Sequence, residues 1–147
     1  MNNLSAFFSQ NATKVENIKY IVSERFLAEE GDKKAKKPIE WEIQCITSSE
    51  DEELRKQCVK RVPVPGKKGL SIAETDYSAY SCKLAVRCTV FPNLNDAELQ
   101  NSYGVLGAEA LLKTMLTPGE YTDYISKVQE VNGFDITFED KVEEAKN

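Results

Sequence analysis

The chain has 147 residues and not one histidine. That absence removes the side chain that titrates near neutral pH, most zinc sites, and every Ser-His or Cys-His nucleophile pair. Long apolar runs are missing too. No window approaches 18 uncharged apolar residues, and Met1-Asn2-Asn3-Leu4-Ser5 opens without a basic segment, so neither secretion nor membrane spanning is expected. Cysteine is sparse and scattered: Cys45, Cys58, Cys82 and Cys88 form no CxxC pair, and a zinc cluster would have to gather all four from separate elements. Buried free thiols in a reducing cytoplasm are the expectation.

What is present suffices for a core. The sequence is 41% hydrophobic and 29% charged, with one Trp, six Tyr and six Phe, the composition of an ordinary globular chain. A chain of this length buries roughly 68–70% of its unfolded surface, so residues 1–147 read as one domain that needs no staple. The net charge of −5 hides an asymmetry: residues 1–70 carry +2 and residues 71–147 carry −7. Such polarity suits a scaffold-like partner, or self-association between unlike ends, better than binding to duplex nucleic acid.

Ile18, Tyr20, Val22 and Phe26 share one parity, as do Ile39, Trp41, Ile43 and Cys45, with Lys19, Ser23, Arg25, Glu40, Glu42 and Gln44 between them. Period two predicts two half-buried strands, and the polar stretch from Ala28 to Pro38 predicts the loop of a β-hairpin spanning about 15–46. Its polar face should set Lys19 and Arg25 near Glu40 and Glu42. Ser49 followed by Glu52 suggests a capping box that opens a helix running to about Arg61. Val62-Pro63-Val64-Pro65-Gly66-Lys67-Lys68-Gly69 then reads as a linker or exposed loop.

Ser71 and Glu74 repeat the capping signature, and Tyr77, Tyr80, Leu84, Cys88 and Phe91 follow at helical spacing as far as Pro92. Asn95 with Glu98 should start a short helix stopped by Gly104, and Leu111, Leu112, Met115 and Leu116 follow Gly107. Thr117-Pro118-Gly119-Glu120 joins an N-cap, a proline at the first helical position and a Glu at the third. The stripe Tyr121, Tyr124, Ile125, Val128 and Val131 makes the helix behind it the clearest in the chain, closed by Asn132-Gly133. A last amphipathic segment from about Thr137 sets Phe138, Val142 and Ala145 against Glu139, Asp140, Glu143 and Glu144.

No motif carries catalysis, a cofactor or a metal. Gly66-Lys67-Lys68-Gly69 lacks the upstream Gly and the following Ser/Thr of a phosphate loop. Lys33-Lys34-Ala35-Lys36-Lys37 reads as a solvated hairpin tip, because the strand parity assigns Tyr20 and Trp41 to the apolar face rather than to base stacking. Glu50 to Glu53 sits in the first turn of a helix, where the free amides favour negative charge; a metal-dependent enzyme built on it would need a bound divalent ion. Phe134, Phe138, Val142 and Ala145 are the candidate partner-binding residues, since a terminal amphipathic segment has few sequence neighbours to bury it.

The phrase from Val90 to Val105, VFPNLNDAELQNSYGV, followed by Leu111-Leu112, Met115-Leu116 and Pro118-Gly119-Glu120-Tyr121, resembles the phage tail assembly chaperones of the XkdN-like family. Ile39-Glu40-Trp41-Glu42-Ile43 and the segment Val62 to Gly69 resemble it as well. The resemblance implies a non-enzymatic protein made in the host bacterial cytoplasm and absent from the mature virion. Its implied partners are the tape measure protein, which it keeps soluble, and the tail tube protein, whose subunits it helps recruit. No catalytic or ligand residues come with the resemblance.

The expected fold is therefore α+β: an N-terminal β-hairpin packed with a bundle of about five or six helices, the helical part covering about 49–147. The expected function is tail assembly chaperone, with homo-oligomerisation possible. The alternative is a small phage or host regulatory protein that binds nucleic acid through its basic loops.

Overall fold

The computed structural model describes residues 3–29, 31 and 35–134. The fold is α+β. A 3-10 turn, Asn3–Phe7, precedes strands β1 (Ile18–Tyr20), β2 (Leu27–Glu29), β3 (Lys36–Pro38) and β4 (Trp41–Ile43). Helix α1 (Ser48–Lys56), strands β5 (Val59–Pro63) and β6 (Ser71–Thr75), helix α2 (Tyr77–Cys88) and strand β7 (Thr89–Phe91) follow. Three further helices close the described chain: α3 (Ala97–Ser102), α4 (Ala108–Met115) and α5 (Pro118–Val131).

The N-terminal hairpin forms in two paired stretches. β1 runs antiparallel to β4 with Ile18 opposite Ile43, Lys19 opposite Glu42 and Tyr20 opposite Trp41. β2 and β3 continue it with Leu27 opposite Pro38 and Glu29 opposite Lys36, so part of the expected 28–38 loop is strand. β7 adds to the far side of β4 through a register shift between Glu42 and Ile43, giving the sheet order β1-β4-β7. Trp41 and Ile43 point from this sheet into the core, where they meet Leu84, Cys88, Leu111, Leu112, Tyr124 and Val128. Ile18, assigned to the same apolar face by parity, is 39% exposed because it lies at the sheet edge.

Local chemistry sets the helix ends. Thr47, not Ser49, caps α1: its hydroxyl accepts from the Glu50 amide while the Glu50 carboxylate accepts from the Thr47 amide. The helix ends at Lys56 rather than near Arg61, because Val59-Lys60-Arg61-Val62 pairs with Ile72-Ala73-Glu74-Thr75 as a second hairpin. The capping-box reading of Ser71 and Glu74 is thus corrected: both lie in β6, and α2 starts later, capped by the Asp76 carboxylate on the Ala79 amide. Of the two readings of Val62 to Gly69, exposed loop holds from Val64 onward, while Val62 and Pro63 belong to β5. Val64-Pro65-Gly66-Lys67 turns the chain, with the Lys67 amide donating to the Val64 carbonyl and Gly66 at φ +79°. Proline at the second position and a left-handed glycine at the third make that turn.

α2 ends at Cys88. Phe91, expected on its stripe, lies on β7 and is half-exposed, as is Tyr77 at the other end, while Tyr80, Leu84 and Cys88 are buried as their spacing predicts. α3 is capped by Asp96, one residue after the expected Asn95. α5 follows its expected pattern: Thr117 and Glu120 form the capping box with Pro118 at the first position. At its other end the Phe134 amide reaches the Gln129 carbonyl and the Gly133 amide the Glu130 carbonyl, the two bonds of a Schellman motif.

Asn132 does more than end this helix. Its Nδ2 donates to the Val128 carbonyl at 2.8 Å and its Oδ1 accepts from the Ile46 amide at 3.0 Å, tying α5 to the chain between β4 and α1. Asn132→Ala should therefore cost about 1–2 kcal/mol, the penalty for leaving a half-buried amide unpaired, read as a lower urea midpoint with an unchanged m-value.

Arg25 does not pair across the hairpin with Glu40 or Glu42. It reaches α5 instead, with Nη2 at 2.5 Å from Glu120 Oε1 and 2.8 Å from the Met115 carbonyl. The Arg25 guanidinium, with the Ser23 hydroxyl and the Thr117 amide, holds the Glu120 carboxyl down to about 2. A depressed carboxyl contributes stability that is complete above its ordinary value of 4.5 and lost as pH falls from there towards 2. Glu120→Gln keeps a capping residue but removes the charge. Thermal melts should show the variant losing less stability than the parent across that acidic window.

The four cysteines are unbridged; Cys58, Cys82 and Cys88 are buried and Cys45 half-buried. Burial pushes the Cys88 thiol up to about 11, away from the reactive thiolate.

Candidate partner-binding surfaces

The charged clusters singled out in the sequence are engaged in structural contacts. Glu50 closes the α1 capping box and pairs with Arg87 on α2. Asp51 accepts from Arg55 Nε at 2.9 Å and from the Tyr80 hydroxyl, while the Arg55 guanidinium lies 4.4 Å from the Tyr80 ring centre. Burial first, and then the bond to Asp51, push the Tyr80 phenol well above its ordinary value. Glu52 and Glu53 both approach Lys56. The Glu50–Arg87, Asp51–Tyr80 and Arg55–Tyr80 contacts join α1 to α2, and no group of three or more His, Cys, Asp or Glu side chains among the described residues is arranged to hold a metal ion.

The described lysines of the basic loops are exposed, and the two aromatics weighed for base stacking are occupied elsewhere. Lys36 and Lys37 are exposed on β3, and Lys33 and Lys34 lie outside the described residues. Trp41 is 2% exposed, packed edge-on against Tyr124 with ring centres 5.1 Å apart, and the Tyr20 ring is covered by the Lys127 ammonium at 5.4 Å. Lys67 and Lys68 stand at the tip of the β5-β6 hairpin, away from any exposed aromatic on that hairpin.

Of the four candidate partner residues, only Phe134 lies within the described structure. It follows the Schellman turn, is 40% exposed, and has the Arg55 guanidinium 5.9 Å from its ring centre. Phe138, Val142 and Ala145 lie outside the described residues.

Sequence periodicity missed two other apolar surfaces. Leu4, Phe7 and Phe8 are exposed along the first turn, ahead of a stretch to residue 17 that is exposed throughout. Leu106 is 93% exposed. Its loop is held firmly: the Gln100 Nε2 donates to the Leu94 carbonyl at 2.9 Å, its Oε1 accepts from the Gly107 amide at 3.0 Å, and the Val105 amide reaches the Gln100 carbonyl. Val105 packs against the core while Gly107, at φ +100°, lets the backbone turn directly into α4. One side chain of the pair Val105-Leu106 is thereby anchored and the other presented to solvent. The two glycines at 104 and 107 mark the loop in the sequence, but only three-dimensional packing distinguishes the anchored residue from the displayed one.

Among the described residues no helix is long and apolar enough to cross a membrane. The grooves are shallow and open; that between α1 and α2 is walled by Leu54, Val86, Lys83 and Arg87, with Lys83 paired to Glu109 at 2.9 Å. The surface thus offers displayed apolar side chains, Leu106 on a hydrogen-bonded loop among them, an arrangement suited to holding another macromolecule.

The chain is similar to known proteins over nearly its whole length. The protein YqbN of Bacillus subtilis (strain 168) is 30% identical over 145 residues, which is 98% of this chain and 93% of the relative. The phage-like element PBSX protein XkdN of the same strain is 28% identical over the same extent. The crystal structure of YqbN superposes with a TM-score of 0.72 at 26% identity, covering 92% of this chain and 99% of that one. The model of the phage XkdN-like tail assembly chaperone protein family matches residues 4–146. With nearly the whole length matched, the chain belongs to the XkdN-like family of phage tail assembly chaperones.

Proposed function

We propose that this chaperone binds the tape measure protein, keeps it soluble in the host bacterial cytoplasm, and helps recruit tail tube subunits around it without entering the mature virion. The observation that carries the reading is the match to the chaperone family over residues 4–146, on a body that displays apolar side chains such as Leu106 and Phe134 to solvent. A long helical protein awaiting assembly exposes apolar stripes, and a rigid surface with projecting apolar side chains can cover them. Phe134, with Phe138, Val142 and Ala145 beyond it, and Leu106 are the contacts we assign to that partner. No catalysis is part of the role.

Co-expression tests the assignment. With this chain present the cognate tape measure protein should stay in the soluble fraction and copurify; without it, that protein should pellet. A tape measure protein equally soluble in both cases, with no copurification, would overturn the reading. Phe138→Asp with Val142→Asp should weaken copurification while leaving the melting temperature nearly unchanged.

A further inference from the structure

The β5-β6 hairpin stands apart from the body of the fold. Residues 71–74 are exposed throughout, and among the described residues β5 and β6 pair only with each other. A lone two-stranded hairpin is marginal in water, and an open strand edge is a template for another strand.

The ladder shows which groups face outward. The Val64 amide bonds to the Leu70 carbonyl and, at the base, the Asp76 amide bonds to the Cys58 carbonyl. In the alternating antiparallel pattern, Lys60-Glu74 and Val62-Ile72 are then the hydrogen-bonded pairs. The backbone groups of Val59, Arg61 and Pro63 on one edge, and of Ser71, Ala73 and Thr75 on the other, therefore point away from the hairpin. The β5 edge is blunted, since Pro63 offers no amide where one would face outward. The β6 edge over Ser71-Ile72-Ala73-Glu74-Thr75 keeps its outward amides, and of its outward carbonyls that of Ser71 already accepts from Arg61 Nη2 at 2.8 Å, with a second lone pair left for a further strand.

We propose that β6 is a dimerisation edge that pairs antiparallel with β6 of a second copy, with Ala73 on the two-fold axis. Isologous pairing sets Ala73 opposite Ala73 and Ser71 opposite Thr75, so every outward backbone group of both strands finds a partner. Shifting the register by two residues in one direction places Glu74 opposite Glu74, and shifting it in the other leaves an outward-facing Thr75 without a partner in the strand. In the centred register no like charges face each other across the axis: Ile72 lies opposite Glu74, whose other neighbour is Lys60. The antiparallel arrangement also carries the Lys67-Lys68 tips to opposite ends of the four-stranded sheet. Residues 59–75, with Lys60, Arg61, Lys67 and Lys68 against Glu74, carry +3 within a chain of net −5, so each basic arm approaches an acidic neighbour.

The pairing does not depend on the chaperone reading. Because a five-residue edge is much smaller than the roughly 800 Å² per partner of a stable interface, a dissociation constant of about 10–100 µM is expected. Sedimentation of the full chain should show the mass rising from 16.5 kDa towards twice that value across this range. Ala73→Pro removes an outward amide without touching the internal ladder, and Ala73→Lys places like charges together on the axis. Each should weaken association at least about tenfold with the circular-dichroism spectrum retained. Mixing Ala73→Lys with Ala73→Glu chains should restore dimers, a result only the Ala73-to-Ala73 register gives. A wild-type chain that stays monomeric to about 500 µM, or variants that dimerise as the parent does, would overturn the proposal. So would Ala73→Pro abolishing tape measure copurification in a chain that is monomeric throughout, since the edge would then serve that partner instead.

Discussion

Trp41→Ala is expected to destabilise the protein by about 3–5 kcal/mol, lowering the melting temperature by roughly 10–16 °C. Trp41 is 2% exposed and central to the contacts between the sheet and the helices. Its ring meets Tyr124 of α5 edge-on at 5.1 Å and Phe26 at 6.3 Å, and its strand is bracketed by β1 and β7. Alanine would leave a cavity whose walls belong to two elements fixed by their own bonds: β4 by two ladders, α5 by Asn132 and by the Tyr124 hydroxyl on Thr89 at 2.5 Å. Such walls cannot collapse, which places the cost in the upper part of the range for emptying a large site. Chemical denaturation followed by circular dichroism measures it. A midpoint within the error of the parent would mean that the sheet and helices do not meet through this ring.

Leu106→Asp is expected to weaken capture of the tape measure protein by at least about thirtyfold, equivalent to about 2 kcal/mol, with the melting temperature nearly unchanged. The side chain is 93% exposed and so contributes almost nothing to the core. Its loop is ordered in advance by Gln100, so binding loses little conformational entropy, the condition under which a single apolar anchor contributes most. Leu106→Ala should give an intermediate loss. A pull-down titration of the co-expressed pair reads the effect, and undiminished capture by Leu106→Asp would move the contact elsewhere. Gln100→Ala offers a separate check: with Leu106 present but its loop released, capture should fall by less than in Leu106→Asp.

Much of the architecture was legible in order along the chain. Period two marked β1 and β4 because their apolar side chains alternate against a single core, and Thr117-Pro118-Gly119-Glu120 marked α5 because its first turn satisfies its own amides. The resemblance carried by Phe91 to Val105 points to the family from the sequence alone. Local signals failed where two structures share one vocabulary. Ser71 and Glu74 have the spacing of a capping box, yet Glu74 faces Lys60 and Ile72 faces Val62 in a strand. Which pattern prevails depends on whether residues 59–63 are available to pair, and a window that excludes them cannot know. The same limit moved the α1 cap from Ser49 to Thr47 and sent Arg25 to Glu120, 95 residues away.

The sequence by itself determined the class of the molecule: no histidine and no long apolar run, charge divided between its halves, and enough apolar residues with the right periods for an α+β core. These are properties of composition and of neighbours along the chain. Only the tertiary structure decided which apolar residues the core leaves outside. Val105 and Leu106 are adjacent and chemically alike, but one packs against the core and the other stands in solvent because Gln100 holds the loop between α3 and α4. Likewise β5 and β6 pair only with each other among the described residues, because the sheet of β1, β4 and β7 forms without them. Burial and edge exposure arise from contacts between distant elements, so the surfaces available to a partner were settled by packing and not by any local pattern.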